Sequence, residues 1–192
     1  ADRARAAGLE VRGVMGYEGH LMMVPDRAER RAQVEASMAL LTAAHADVGG
    51  DIVSAGGTGT YDLHDRTGVT DVQAGSYVVM DTHYGRQGLP FEQALFVLGT
   101  VISVRPDWAV ADVGLKALGM DHGNPDVPGA AVWFCSDEHL TFAPGADAAV
   151  EVGDRVRVVP AHVDPTIAMH EVAWLVRGDE VIDRWPIDLR GW

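Results

Sequence analysis

The chain has 192 residues, with 28 acidic against 15 basic side chains and a formal charge of -13. That length suffices for one well-packed domain or two small ones, and a hydrophobic content of 47% excludes a disordered chain. The acidic balance repels phosphate backbones and anionic lipid, and no basic patch offsets it, so neither nucleic acid nor a membrane surface is expected as a partner.

Residues 11–16 (Val-Arg-Gly-Val-Met-Gly) predict a short strand followed by the loop Tyr17-Glu-Gly-His20. Asp26 then caps a predicted helix of about 18 residues, in which Val34, Met38, Leu41 and His45 share one face, and Gly49-Gly50 stops it. Asp51 to Ala55 predicts a second strand running into Gly56-Gly-Thr-Gly-Thr60 and a helical turn around residues 61–65. Residues 71–80 mix a strand with a glycine loop. Strand, helix, strand and glycine-rich loop are the grammar of parallel βα units. Only two or three units fit in this stretch, whereas a closed eight-unit barrel takes roughly 250 residues.

From about residue 94 the pattern changes. The runs 94–104, 108–114, 131–134, 155–160, 172–176 and 180–184 are β-branched or aromatic and separated by Gly, Pro and Asp turns, which predicts an antiparallel β domain. Arg177-Gly-Asp-Glu180 between the last two runs reads as a hairpin turn. A single cysteine, Cys135, rules out an intrachain disulfide and suits a reducing cytoplasm. No apolar run approaches the roughly 20 residues of a membrane helix.

Six features are candidates for chemistry. The loop Gly56–Thr60, at the carboxyl end of a parallel strand, is either a phosphate cradle of backbone N–H groups or an ordinary tight turn. Gly75-Ser76-Tyr77 would lie beside it if their strands are neighbours, making a second donor loop or a glycine bulge with a core tyrosine. Tyr17 and His20 sit at the carboxyl end of the first strand, as an acid–base pair or a surface loop. His162 and Asp164, read as an extended segment, point to one side and can share an ion such as Zn, Mn or Mg, although a solvated loop is the commoner meaning of the spacing. Ser136-Asp-Glu-His139 fits a turn as well as a site. The sole lysine, Lys116, lies in the β region and reads as structural rather than as a Schiff-base residue.

In order, Gly16-Tyr-Glu-Gly-His20, Gly56-Gly-Thr-Gly-Thr-Tyr61, Gln73-Ala-Gly-Ser-Tyr77, Asp112-Val-Gly-Leu-Lys-Ala-Leu118, Ser136-Asp-Glu-His139 and Pro160-Ala-His-Val-Asp-Pro-Thr166 resemble the carboxyl-terminal half of the D-threonine aldolase and D-serine dehydratase family. The resemblance implies an α/β plus β fold. Residues 1–92 would be the carboxyl-terminal portion of an alanine racemase-like (β/α)8 barrel, and residues 93–192 an antiparallel β domain carrying the metal-ligand motif. It further implies that Gly57, Thr58, Gly59, Gly75, Ser76 and Tyr77 hold the phosphate of pyridoxal 5'-phosphate. Gln73 would face the pyridine nitrogen, where alanine racemases have an arginine. Tyr17 would line the cofactor pocket with His20 as a nearby acid or base, and His162 and Asp164 would bind a divalent metal beside the cofactor.

The implied function is a metal-dependent lyase acting on small β-hydroxy-D-amino acids, as a homodimer in full-length form. Asp164 favours aldol cleavage, since the dehydratases carry cysteine at that position. The alternatives are a dehydratase-like β-elimination, a racemase on the same fold, and a non-catalytic binder of a phosphorylated ligand. The family's Schiff-base lysine lies early in its barrel, and nothing here corresponds to it. The expectation is therefore a partial sequence that is inactive by itself.

Overall fold

The computed structural model describes residues 1–188 and 190. Its packing divides the chain into two units, residues 1–78 with 87–90 and residues 79–86 with 91–192.

The first unit opens with the short helix α1 (Asp2–Ala6) and continues as β1 (Gly13–Met15), α2 (Arg27–Val48), β2 (Ile52–Ala55) and β3 (Asp71–Val72). The three strands pair in parallel in the order β1-β2-β3, as the alternating pattern predicts. Asp26 caps α2 by accepting the Glu29 N–H at 2.7 Å, and the helix runs for 22 residues, a turn longer than the sequence suggested. Its buried Val34 and Met38 meet Leu21, Ala55 and Leu63 in one apolar cluster, so the helix is held on the sheet by its one apolar stripe. Gly13 permits close strand pairing, because a Cβ there would lie 1.8 Å from the Ile52 carbonyl oxygen. The strand expected within residues 71–80 shortens to the two residues of β3, since the chain turns at Gly75 into a 3-10 helix over Ser76–Val78. Residues 61–65 make turns but no helix.

The second unit begins with a single helical turn, α3 (Thr82–Gly85), and then forms β4 (Val97–Arg105), β5 (Trp108–Ala111), β6 (Ala130–Cys135), β7 (Leu140–Pro144) and β8 (Arg155–Val158). These pair in the order β6-β7-β5-β4-β8, all antiparallel. Alternate residues Val101, Ala109, Ala111, Leu140, Phe142 and Val158 face one core. Strand β7 was not expected from the sequence, because it directly follows the polar run 136–139. A short helix, α4 (Val163–Ala168), then leads to the hairpin of β9 (Val172–Arg177) and β10 (Glu180–Pro186). The predicted turn is there, with Gly178 at φ 62°.

Candidate functional site

The two glycine loops of the first unit follow adjacent parallel strands and are joined directly. The Tyr77 N–H donates to Thr58 Oγ1 at 3.1 Å, and Thr58 is buried. The Gln73 N–H donates to the Ala55 carbonyl at 3.0 Å, extending the ladder one residue past β3, and its side chain is exposed. Tyr17 lies over the first loop, where a Cβ on Gly57 would come within 2.9 Å of its ring, and a Cβ on Gly59 would lie 2.5 Å from the Met22 carbonyl oxygen. Gly59 is thus required by packing against backbone, and Gly57 lies in close contact with the Tyr17 and Met22 side chains. Gly75 faces open space. Gly59→Ala should therefore cost about 1–3 kcal/mol in urea unfolding, against less than about 0.5 kcal/mol for Gly75→Ala.

Behind the cradle stand groups that the sequence reading passed over. Glu18 is 2% exposed. Its Oε1 accepts from the Thr60 hydroxyl at 2.5 Å and meets His64 Nε2 at 3.1 Å, while Oε2 accepts the Gly56 N–H at 3.2 Å. Burial alone would raise its carboxyl, but the hydrogen bonds from His64 and Thr60 and its own backbone outweigh that and hold it at about 2. From α2, buried Arg30 donates Nη1 to the Gly59 carbonyl at 2.7 Å and Nη2 to Gln87 Oε1 at 3.1 Å. Gly56 and Gly57 spend their N–H groups within the network, on Glu18 and on Thr60 Oγ1. Among the described residues no hydrogen-bond acceptor meets the N–H groups of Thr58, Gly59 and Ser76, which makes these three the donors a phosphate would find.

His20 is exposed on a 3-10 turn (Gly19–Leu21). With Tyr17, Gly16, Met38 and Leu41 it lines a cleft of about 320 Å³.

In the second unit, His162 and Asp164 converge by a different local geometry from the one expected. The segment is not extended through Asp164. His162 is the N-cap of α4 (φ -144°, ψ 119°), and Asp164 lies in the helix's first turn, where Pro165 is tolerated because the first-turn N–H groups need no intrahelical partner. Their side chains still meet, with Nε2 of His162 3.3 Å from Oδ2 of Asp164. Two ligands about 2.0–2.1 Å from one ion at the tetrahedral angle sit roughly 3.3 Å apart. The pair has a metal-ligating separation and the borderline N,O donor set of Zn or Mn.

Sequence reasoning missed what surrounds this pair. Asp121 Oδ2 lies 2.6 Å from the other ring nitrogen, Nδ1 of His162, and 3.6 Å from Nε2 of His122. His122 stacks on His162 with centroids 4.0 Å apart and planes at 13°, and His83 stacks on His122 at 4.1 Å. Burial, then the neighbouring His122, pushes the His83 imidazole below its ordinary range. Asp121, His122 and His162 bring ligand atoms within 4.8 Å of one another. The signal available was Asp121-His122, a second pair of ligand-type residues set between glycines.

The pair is anchored from beneath. Asp81, fully buried, accepts the Tyr84 N–H at 2.8 Å and the Val163 N–H at 3.2 Å, so one carboxylate caps both α3 and α4. Thr166 Oγ1 accepts the Gly119 N–H at 2.9 Å and donates to the His162 carbonyl at 2.7 Å. Lys116 is exposed and paired with Glu138 at 2.5 Å, which raises its pKa. The Ser136–His139 run forms a turn, closed by the Ser136 N–H donating to the His139 carbonyl at 2.8 Å.

The chain is similar to known proteins over nearly all of its length. The family model described as "Putative serine dehydratase domain" matches residues 94–176. The 3-hydroxy-D-aspartate aldolase of Paracoccus denitrificans is 36% identical over 98% of this chain and 53% of its own length. The D-threonine aldolase of an Arthrobacter species is 37% identical over 100% of this chain and 55% of its own. The crystal structure of D-threonine aldolase from Filomicrobium marinum superposes with a TM-score of 0.86 at 36% identity, covering 96% of this chain and 54% of that one. The chain thus spans about half the length of these relatives, and its fold likeness extends at lower identity to alanine racemase-like proteins. Identity sustained across nearly all of its length, on a superposable fold, shows that the chain belongs to the D-threonine aldolase and D-serine dehydratase family and corresponds to its carboxyl-terminal half.

Proposed function

We propose that this chain supplies the phosphate cradle and the metal ligands of a pyridoxal phosphate- and divalent metal-dependent lyase acting on β-hydroxy-D-amino acids. The observation that carries the proposal is the 3.3 Å approach of His162 Nε2 to Asp164 Oδ2, in a chain whose relatives are named as aldolases of D-threonine and 3-hydroxy-D-aspartate. The residues present fit both groups. The N–H groups of Thr58, Gly59 and Ser76 and the Thr58 hydroxyl would hold the phosphate, Tyr17 would line the ring's pocket, and Gln73 would supply a neutral partner to the ring nitrogen. His162 and Asp164 would hold the ion.

When bound, pyridoxal phosphate supplies an electron sink for the Cα carbanion and the metal a Lewis acid for the β-hydroxyl. The chain's own contribution is orientation and proton handling. Tyr17, packed over Gly57, fixes one wall of the pocket. His20, on its exposed turn, would serve as an acid or base. A β-elimination is the second reading, favoured by the description of the family model. Pyruvate from D-serine would mark it, against glycine and acetaldehyde from D-threonine for the aldol cleavage.

Titration of the protein with Zn²⁺ against a chelator tests the metal half of the proposal. His162→Ala and Asp164→Ala should each weaken binding by at least about 10-fold. Affinity unchanged in both variants would refute the assignment.

A further inference from the structure

We infer that Asp121 is a positioning residue that sets the tautomer and the in-plane orientation of His162, so that Nε2 is the nitrogen offered to a metal. The inference rests on the metal reading above and concerns a residue outside the His162–Asp164 pair.

His162 has a carboxylate at each ring nitrogen, Asp121 Oδ2 at 2.6 Å from Nδ1 and Asp164 Oδ2 at 3.3 Å from Nε2. The two contacts differ in kind. The shorter is a hydrogen bond, and because an ionised carboxylate only accepts, Nδ1 must carry the proton. In a neutral imidazole that leaves the lone pair on Nε2, on the side of Asp164. Carboxylate, imidazole and metal in line is a recurrent way of orienting a ligating histidine.

The alternative, that Asp121 and His122 are themselves ligands of the same ion, fits the geometry less well. The His122 and His162 planes are nearly parallel at 13° and 4.0 Å apart. Lone pairs lie in the ring planes, so those of two stacked imidazoles run side by side and do not converge on a point about 2.1 Å from both. The stack of His83 and His122 therefore holds the face of His162, while Asp121 holds its edge. The backbone supports the same arrangement. Gly119 bridges to His162 and donates its N–H to Thr166 Oγ1, whose hydroxyl returns to the His162 carbonyl. A Cβ at Gly119 would lie 2.4 Å from Pro165 Cγ, so Asp121 is delivered by a segment in tight contact with the first turn of α4.

Two measurements on the 192-residue protein test this, with wild type, Asp121→Ala, Asp121→Asn and His162→Ala compared. Long-range ¹H–¹⁵N correlation in metal-free protein should show His162 protonated on Nδ1 in wild type and losing that preference in Asp121→Ala. An Nε2–H form in wild type, or an unchanged tautomer in Asp121→Ala, would overturn the inference. Zinc affinity by chelator competition should fall about 10–100-fold in Asp121→Ala, with partial recovery in Asp121→Asn, whose amide oxygen can still accept. Affinity within twofold of wild type in Asp121→Ala, where His162→Ala abolishes binding, would also overturn it. If His162→Ala binds zinc as tightly as wild type, the metal reading fails instead, and the tautomer result still decides the role of Asp121. Because Asp121 is exposed, the variants should retain the wild-type circular dichroism spectrum.

Discussion

Glu18→Ala should lower stability by about 3–5 kcal/mol, the cost of removing one partner of a buried charged network. The loss leaves the Gly56 N–H, the Thr60 hydroxyl and His64 facing each other in a site closed to water, where each unsatisfied polar group costs about 1–3 kcal/mol. Acid titration should identify the carboxylate as the source. Its pKa falls from 4.5 to about 2 on folding, so its contribution is complete above about pH 4.5 and lost as the pH drops through about 2. Urea unfolding of wild type and variant across that range should give curves that converge on acidification. A constant difference down to pH 2 would mean that the side chain acts by packing alone. Because the same carboxylate grips Gly56 and Thr60, the variant should also loosen the first glycine loop, visible as faster amide exchange across residues 56–60.

Asp81→Ala should lower the stability of the second unit by about 2–4 kcal/mol. Each of its two backbone contacts is a helix cap worth about 1 kcal/mol when exposed, and both donors become orphans in a buried site when the side chain is removed. The effect should reach the proposed metal ligands, because the Val163 N–H that Asp81 accepts lies between His162 and Asp164 in the chain. Zinc affinity should fall although Asp81 touches neither ligand side chain. Asn at this position keeps one acceptor and should recover part of both losses. Denaturation coupled to zinc titration checks the pair of effects, and a destabilised protein with wild-type affinity would separate the cap from the site.

The residues that proved legible in the sequence are those whose chemistry is local. Asp26 announced its helix because an N-cap needs only the residues just after it, and the glycine loops announced themselves at the ends of apolar strands. Their adjacency followed once β2 and β3 were taken as parallel neighbours, which their pairing bears out. What the sequence concealed depends on contacts across long separations. Asp81 caps a helix 82 residues away, and Asp121 meets His162 across 41. No periodicity records either. The helical start at Val163 was masked for another reason: Val158 to Ala161 is apolar and strand-like, and Pro165 reads as a break although it sits in a first turn that accepts it. The convergence of His162 and Asp164 was foreseen from an extended backbone and arises instead from a cap and a first-turn residue.

The function proposed for this chain depends on an ion held between His162 and Asp164. A crystal of the protein soaked in zinc and measured at the zinc absorption edge tests that claim directly. The prediction is an anomalous peak about 2.0–2.2 Å from His162 Nε2 and from an Asp164 carboxylate oxygen, with Asp121 still on Nδ1. No peak there, or an ion bound by Asp121 and His122 while Asp164 points away, would contradict it.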